Sequence, residues 1–288
     1  MSKEKKHNKL YIAGATVAVC VAAIYVRRKN RNISVTEYIY ESSKLPKSFD
    51  GYQIVQLSDL QSRSFGSGQR DLLHTVSEEK PDLILITGNL LNGRHANYAA
   101  ARAAVKGLVE MASVYYVNGS HEMKLPKTAM WEYYGELLNN GVHVLFDAAD
   151  QIYRGDEHIR IIGISEYTTT AGRELGKEAG IEFYPQVLTE QIDELTDGDS
   201  EEFTLMLTHE SRYLDYYAGS GVDLTFAGNG HGGMLSLPGG QKFMPSITPG
   251  MHKKGSSSAV ISRGLTNSEF PYMMGNRPEI VSLTLRCV

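Results

Sequence analysis

Five short apolar runs with strand character recur along the chain, and each stops at a glycine or at a polar residue able to hold a metal or a phosphate. They cover 54–58 before Asp59, 83–87 before Gly88 and Asn89, 114–117 before Asn118, Gly119, Ser120 and His121, 203–208 before His209, and 224–227 before Gly228 and Asn229. Between several of them the apolar period changes from two to 3.6, which predicts helices over 71–80 (Leu72, Leu73 and Val76 on one face), 98–111, 131–140 and 187–195. Strands alternating with helices mean an α/β fold. Further runs at 158–164, 259–262 and 280–285 supply enough strands for two packed sheets. In such folds the loops at the carboxyl ends of the strands converge on one side, where ligands bind, so all five polar ends are expected to face one cleft.

The N-terminal part has a different pattern. Residues 10–26 form 17 uncharged positions, preceded by Lys3, Lys5, Lys6 and Lys9 and followed by Arg27, Arg28, Lys29 and Arg31. A bilayer-spanning helix needs roughly 17–25 such residues. An uncleaved anchor is the expectation; a signal peptide and a buried helix are the rivals, and the missing small-x-small site with the immediate basic cluster weighs against cleavage. Basic residues flank both sides equally, so the side of the membrane on which the rest of the chain lies is not fixed. The expected organisation is a basic tail (1–9), a transmembrane anchor (10–26), a polar juxtamembrane connector (27–50) and one catalytic-type domain (51–288). Within that domain the Pro-, Gly- and Ser-rich stretch 237–258 reads as a long loop in the cleft wall.

Composition narrows the partners. A formal net charge of -4 without a long basic block argues against nucleic acid. The two cysteines, Cys20 and Cys287, offer neither a disulfide framework nor a thiolate metal site.

The order Ser-Asp-Leu-Gln (58–61), Thr-Gly-Asn-Leu (87–90), Asn-Gly-Ser-His-Glu (118–122), Thr-His-Glu (208–210) and Gly-Asn-Gly-His-Gly-Gly (228–233) resembles the calcineurin-like metallophosphoesterases. Their pattern is D-x-H, G-D, G-N-H-E/D, H and G-H-x-H-G-G. The likeness runs from Tyr52 to the C-terminus, and the tail (262–265 and 276–280) is similar to the membrane-anchored bacterial branch. It implies a four-layer α/β/β/α sandwich and two-metal phosphoester hydrolysis, with ions about 3.5–4 Å apart and a bridging hydroxide. The implied first ion would sit on Asp59, Gln61, Asn89 and His231, and the second on Asn89, Ser120, His209 and Asn229. His121 would stabilise the phosphate and assist the leaving group.

The departures fall on those ligands. Gln61 stands for His, Asn89 for the bridging Asp, Ser120 for Asn, and Asn229 for His, so three of the seven implied positions match. Two +2 charges at 3.5 Å repel by about 19 kcal/mol at an effective dielectric near 20, and a neutral amide at position 89 removes one of the groups that offsets this. No tightly held dinuclear centre is therefore expected; at most one divalent ion (Mn, Mg, Ca, Zn or Fe) would bind, weakly, at the first site. Each retained residue also has an ordinary reading: Asp59 as a cap, His209 as a satisfied polar side chain, His121 with Glu122 as a hydrogen-bonded pair. Three functions remain open. One is a membrane-held pseudoenzyme binding a phosphorylated small molecule, a lipid headgroup or a protein partner. The second is a hydrolase of phosphomonoesters, phosphodiesters or lipid-linked or nucleotide diphosphates with a reorganised site, and the third is a scaffold.

Overall fold

The central strands of this chain are largely apolar because both of their faces are covered. In the strand Leu83–Thr87, Leu83 and Leu85 point one way and Ile84 and Ile86 the other, and all four are buried. The first pair joins a core between two sheets, and the second joins a core against helices. The computed structural model describes residues 32–198, 201–229, 248–266 and 277–288. Its strands are β1 (Ser34–Ser42), β2 (Gln53–Leu57), β3 (Leu83–Thr87), β4 (Ser113–Val117), β5 (Val142–Val144), β6 (Ala148–Arg154), β7 (Glu157–Ile164), β8 (Thr204–Thr208), β9 (Leu224–Ala227), β10 (Gly250–Lys254), β11 (Ser257–Ile261) and β12 (Glu279–Cys287). Its helices are α1 (Arg70–Glu78), α2 (Tyr98–Val109), α3 (Lys127–Asn139), α4 (Glu166–Glu178), α5 (Gln186–Thr196) and the single turn α6 (Leu214–Tyr217).

One sheet has the order β1-β12-β2-β3-β4-β5 and the other β10-β11-β9-β8-β7-β6. Leu83, Leu85, Val117, Leu205, Leu207, Phe226 and Leu283 fill the space between them. Helices α1, α2 and α3 cover the outer face of the first sheet through Leu72, Val76, Ala104, Leu108 and Tyr133. Helix α5 covers the second through Leu188 and Ile192. This is the expected pair of sheets flanked by helices. Because β2, β3 and β4 run parallel to one another, as do β7, β8 and β9, their carboxyl ends lie along one rim.

Three features differ from the sequence reading. The supposed connector holds β1, which pairs in parallel with β12 from Ser34 opposite Glu279 to Ser42 opposite Cys287, so the domain starts before residue 51. Leu45 and Phe49, also in the connector, are buried in the inter-sheet core. The described part of the 237–258 stretch contains β10, antiparallel to β11, rather than loop alone. Helix α4 lacks an apolar stripe because its packing face is glycine: Gly172 and Gly176 are buried against Phe183. The expected anchor, 10–26, lies outside the described residues; among the described residues no helix is long and apolar enough to cross a membrane.

Candidate functional site

Chain reversal at the strand ends places the motif residues in strained backbone. Asp59 (φ 55°), Gln61 (φ 47°), Ser62 (φ 63°), Asn89 (φ 53°) and Asn229 (φ 53°) all adopt left-handed conformations. Such residues cost about 1–3 kcal/mol each and persist where the surroundings over-determine them, commonly at functional sites. The backbone is tied across the rim: Asp59 N–H donates to Gly88 O (3.1 Å), Gln61 N–H to Asn89 O (2.8 Å) and Leu265 N–H to Ser58 O (2.9 Å). Gly88, at φ +84°, is required by close approach, since a Cβ there would lie 2.7 Å from His209 Nδ1 and 3.0 Å from Gly119 Cα.

The side chains of Asp59, Asn89 and His209 converge at the centre, all essentially buried. Asn89 Nδ2 donates to Asp59 Oδ1 at 2.8 Å and lies 2.8 Å from His209 Nε2, while Asn89 Oδ1 accepts from the His121 N–H at 2.8 Å. His209 Nδ1 lies 2.7 Å from the Thr87 carbonyl, which can only accept, so Nδ1 carries a proton and Nε2 offers its lone pair to the amide. Turning the Asn89 amide over would set oxygen against the Asp59 carboxylate and N–H₂ against an N–H donor, so the network fixes its orientation. Both hydrogens of one neutral amide thus occupy lone pairs that the family resemblance assigns to two metal ions. Burial, the largest influence, disfavours a second proton on His209 and the carboxylates of Asp59 and Glu166 favour one, which leaves its pKa above the usual value; that proton would have to displace the Asn89 N–H₂ from Nε2, so the contact at 2.8 Å is that of the neutral ring.

The remaining motif residues surround this centre. Ser58 Oγ donates to Asp59 Oδ2 (2.8 Å), and the Asn229 N–H reaches the same oxygen (3.3 Å). Gln61 is buried; its Oε1 accepts from Asn92 Nδ2 at 3.5 Å, and its Nε2 has no acceptor among the described residues. Ser120 is half-buried in the turn before His121, whose Nδ1 accepts from the Gly93 N–H at 3.3 Å. Glu122 does not pair with the His121 ring: Oε2 takes the N–H groups of Asn89 and Gly119 (both 3.0 Å), and Oε1 that of Leu91 (2.8 Å). Burial pushes the Glu122 carboxyl up to about 6 although backbone donors hold its charged form. His231 lies outside the described residues.

A second network, missed from the sequence, adjoins the centre at the ends of β7 and β8. Buried Glu210 is gripped bidentately by Arg212, Nε to Oε1 at 3.0 Å and Nη2 to Oε2 at 2.6 Å. Arg173 bridges Glu166 (2.6 Å) and Glu210 (3.4 Å), and Asn229 Nδ2 donates to Glu210 Oε1 (3.4 Å). Burial opposes the charge on Glu210, and the Arg212 bonds outweigh it, holding the carboxyl below its usual range. Glu210 stood in view in the Thr-His-Glu motif, but the partners from α4 are 37 positions away or more and leave no local signal.

The described residues do not fit a dinuclear metal centre. Among them no group of three or more His, Cys, Asp or Glu is placed to hold an ion. Asn89 also presents nitrogen, not oxygen, to Asp59 and His209, and an N–H₂ repels a cation where a bridging carboxylate would bind it.

Comparison with known proteins agrees with this architecture. The family model for calcineurin-like phosphoesterases matches residues 52–235. The chain is 26% identical over 266 residues to the metallophosphoesterase YkuE of Bacillus subtilis (strain 168), covering 88% of this chain and 86% of that one. It is 24% identical over 283 residues to a metallophosphoesterase of Aquifex aeolicus (strain VF5), covering 94% and 98%. Phosphopantetheinyl hydrolase from Mycobacterium tuberculosis superposes with a TM-score of 0.48 at 11% identity, over 79% of this chain and 98% of that one. By the match over most of its described domain, the chain belongs to the calcineurin-like phosphoesterase family, with its metal-ligand positions altered.

Proposed function

We propose that the chain is a membrane-anchored member of the family whose cleft binds a phosphorylated ligand without two-metal hydrolysis. One observation carries the reading: the Asn89 amide joins Asp59 to His209 with its own two hydrogens, the place where the family's chemistry needs a bridging carboxylate between cations. Around it the strained backbone is retained, and the donors suit an anion. Gln61 Nε2 is a buried donor without an acceptor among the described residues, a state that costs about 1–3 kcal/mol and that a ligand oxygen would relieve. Half-exposed Arg212 has its guanidinium plane set by Glu210, a geometry matched to phosphate.

The test combines metal analysis with reversion. The full chain, loaded with Mn and washed, is expected to hold no stoichiometric pair of ions and to leave an aryl phosphodiester intact. Restoring Gln61→His, Asn89→Asp, Ser120→Asn and Asn229→His together is expected to produce metal binding and some hydrolysis. Turnover by the parent chain that is lost in both Asp59→Ala and His121→Ala would refute the proposal and establish a reorganised hydrolase instead.

A further inference from the structure

The path by which the chain enters the domain bears on where the ligand comes from. Strand β12 runs antiparallel to β2, with Val281 opposite Gln56, so its start lies beside the end of β2, next to Asp59. Strand β1 runs parallel to β12, with Ser34 opposite Glu279. The first residue of β1 therefore stands on the cleft rim, two strand spacings (about 10 Å) from the end of β2. Hydrogen bonds continue along that rim from Ser34 N–H to Pro278 O, from Glu279 N–H to Gly264 O and from Leu265 N–H to Ser58 O.

Only residues 27–33 separate this point from the expected anchor at 10–26, and seven residues reach at most about 25 Å. A domain of this size has a radius of gyration near 18 Å and spans roughly 45 Å, so this tether is too short to carry the far rim to the bilayer as easily as the near one. Four of the seven tether residues are basic (Arg27, Arg28, Lys29 and Arg31), which draws the near rim toward anionic headgroups. On that rim Arg212 is 45% exposed, with Nε and Nη2 fixed on Glu210 and, among the described residues, no second carboxylate paired with it.

We infer that the cleft faces the membrane surface and that its ligand is the phosphate of a lipid headgroup, gripped by Arg212. This rests on the anchored, ligand-binding reading above and selects the source of the phosphate. Orientation and ligand are tested separately on the full chain. With Cys20→Ser and Cys287→Ser as background, a fluorophore is placed at Arg94→Cys, exposed in the loop after β3, or at Asp156→Cys, exposed on the opposite rim between β6 and β7. In phosphatidylcholine vesicles containing headgroup spin-labelled lipid, the label at 94 is expected to be quenched several-fold more than that at 156. Equal quenching, or stronger quenching at 156, overturns the orientation and with it the inference.

The ligand arm measures the thermal midpoint in phosphatidylcholine nanodiscs, alone, with phosphatidic acid, or with inorganic phosphate. Phosphatidic acid is expected to raise the midpoint by several degrees, and Arg212→Gln to abolish that rise relative to its own baseline, with Arg212→Lys intermediate. An equal rise with inorganic phosphate overturns the lipid source and leaves the ligand-binding function standing. A rise that survives Arg212→Gln assigns binding to the basic tether and overturns the role of Arg212. No rise with either phosphate source overturns both readings.

Discussion

Replacing Asn89 by aspartate exchanges one heavy atom, with the loss of its two hydrogens, and reverses the electrostatics of the centre. The amide nitrogen, 2.8 Å from Asp59 Oδ1, becomes a carboxylate oxygen, and two unit charges at that distance repel by about 6 kcal/mol at an effective dielectric of 20. His209 relieves part of this by taking a proton on Nε2, 2.8 Å from the new carboxylate, since Nδ1–H already donates to Thr87 O. The remainder is an uncompensated buried charge, for which about 3–5 kcal/mol is the usual loss. At roughly 2–4 °C per kcal/mol for a domain of this size, Asn89→Asp in chelator should melt some 6–20 °C below the parent. Adding Mn should recover much of that difference, because an ion that binds only the folded state contributes about 2.7 kcal/mol at a hundred times its Kd. The assay is a thermal melt of both proteins in chelator and in a Mn series. If Asn89→Asp melts with the parent in chelator, or if Mn shifts both equally, the amide is not standing in for a cation and the reasoning fails.

Other residues give sharper, narrower tests. Glu122, ordinarily near 4.5 and raised to about 6 in the fold, binds its proton more tightly when folded; stability should therefore fall by about 2 kcal/mol as pH rises from roughly 4.5 to 6, and Glu122→Gln should remove that slope in pH-dependent denaturant melts. The same substitution should still lower stability at neutral pH by about 2–4 kcal/mol, because a Gln N–H₂ must face at least one of the three backbone donors that the carboxylate satisfies. Gly88→Ala should cost about 2–4 kcal/mol in urea unfolding, from a left-handed backbone and a Cβ against His209 and Gly119. A chain beginning at residue 51 should fail to unfold cooperatively whereas one beginning at 32 should do so, since the shorter one loses Tyr40, Leu45 and Phe49 from the core, about 1.5–3 kcal/mol each, and leaves β12 as an exposed edge paired to β2 alone.

The strand ends that build the cleft were legible because each is an apolar run halted by a glycine or a polar turn residue, and the structure stops β2, β3, β4, β8 and β9 within a residue of those signals. Strand β1 was not, because it is an edge strand whose alternate positions, including Ile39 at 63% exposure, face solvent or polar neighbours and read as a connector. Helix α4 was not, because it buries glycines under a ring instead of presenting an apolar stripe. At the centre, the substitution at position 89 announced a lost charge. It could not announce where the amide hydrogens go, since that depends on Asp59 and His209 meeting across 30 and 120 positions of chain. The Glu166, Arg173, Glu210 and Arg212 network was invisible for the same reason: charges on an exposed-looking helix acquire meaning only when a buried partner arrives from the neighbouring strand.

The central claim is that one asparagine amide holds together what two metal ions hold in the hydrolytic members of the family. Elemental analysis of the Mn-saturated, washed full chain beside its Asn89→Asp variant tests it most directly. The account predicts no stoichiometric metal in the parent and a clear gain in the variant. Two ions per parent chain, released in Asp59→Ala, would contradict it.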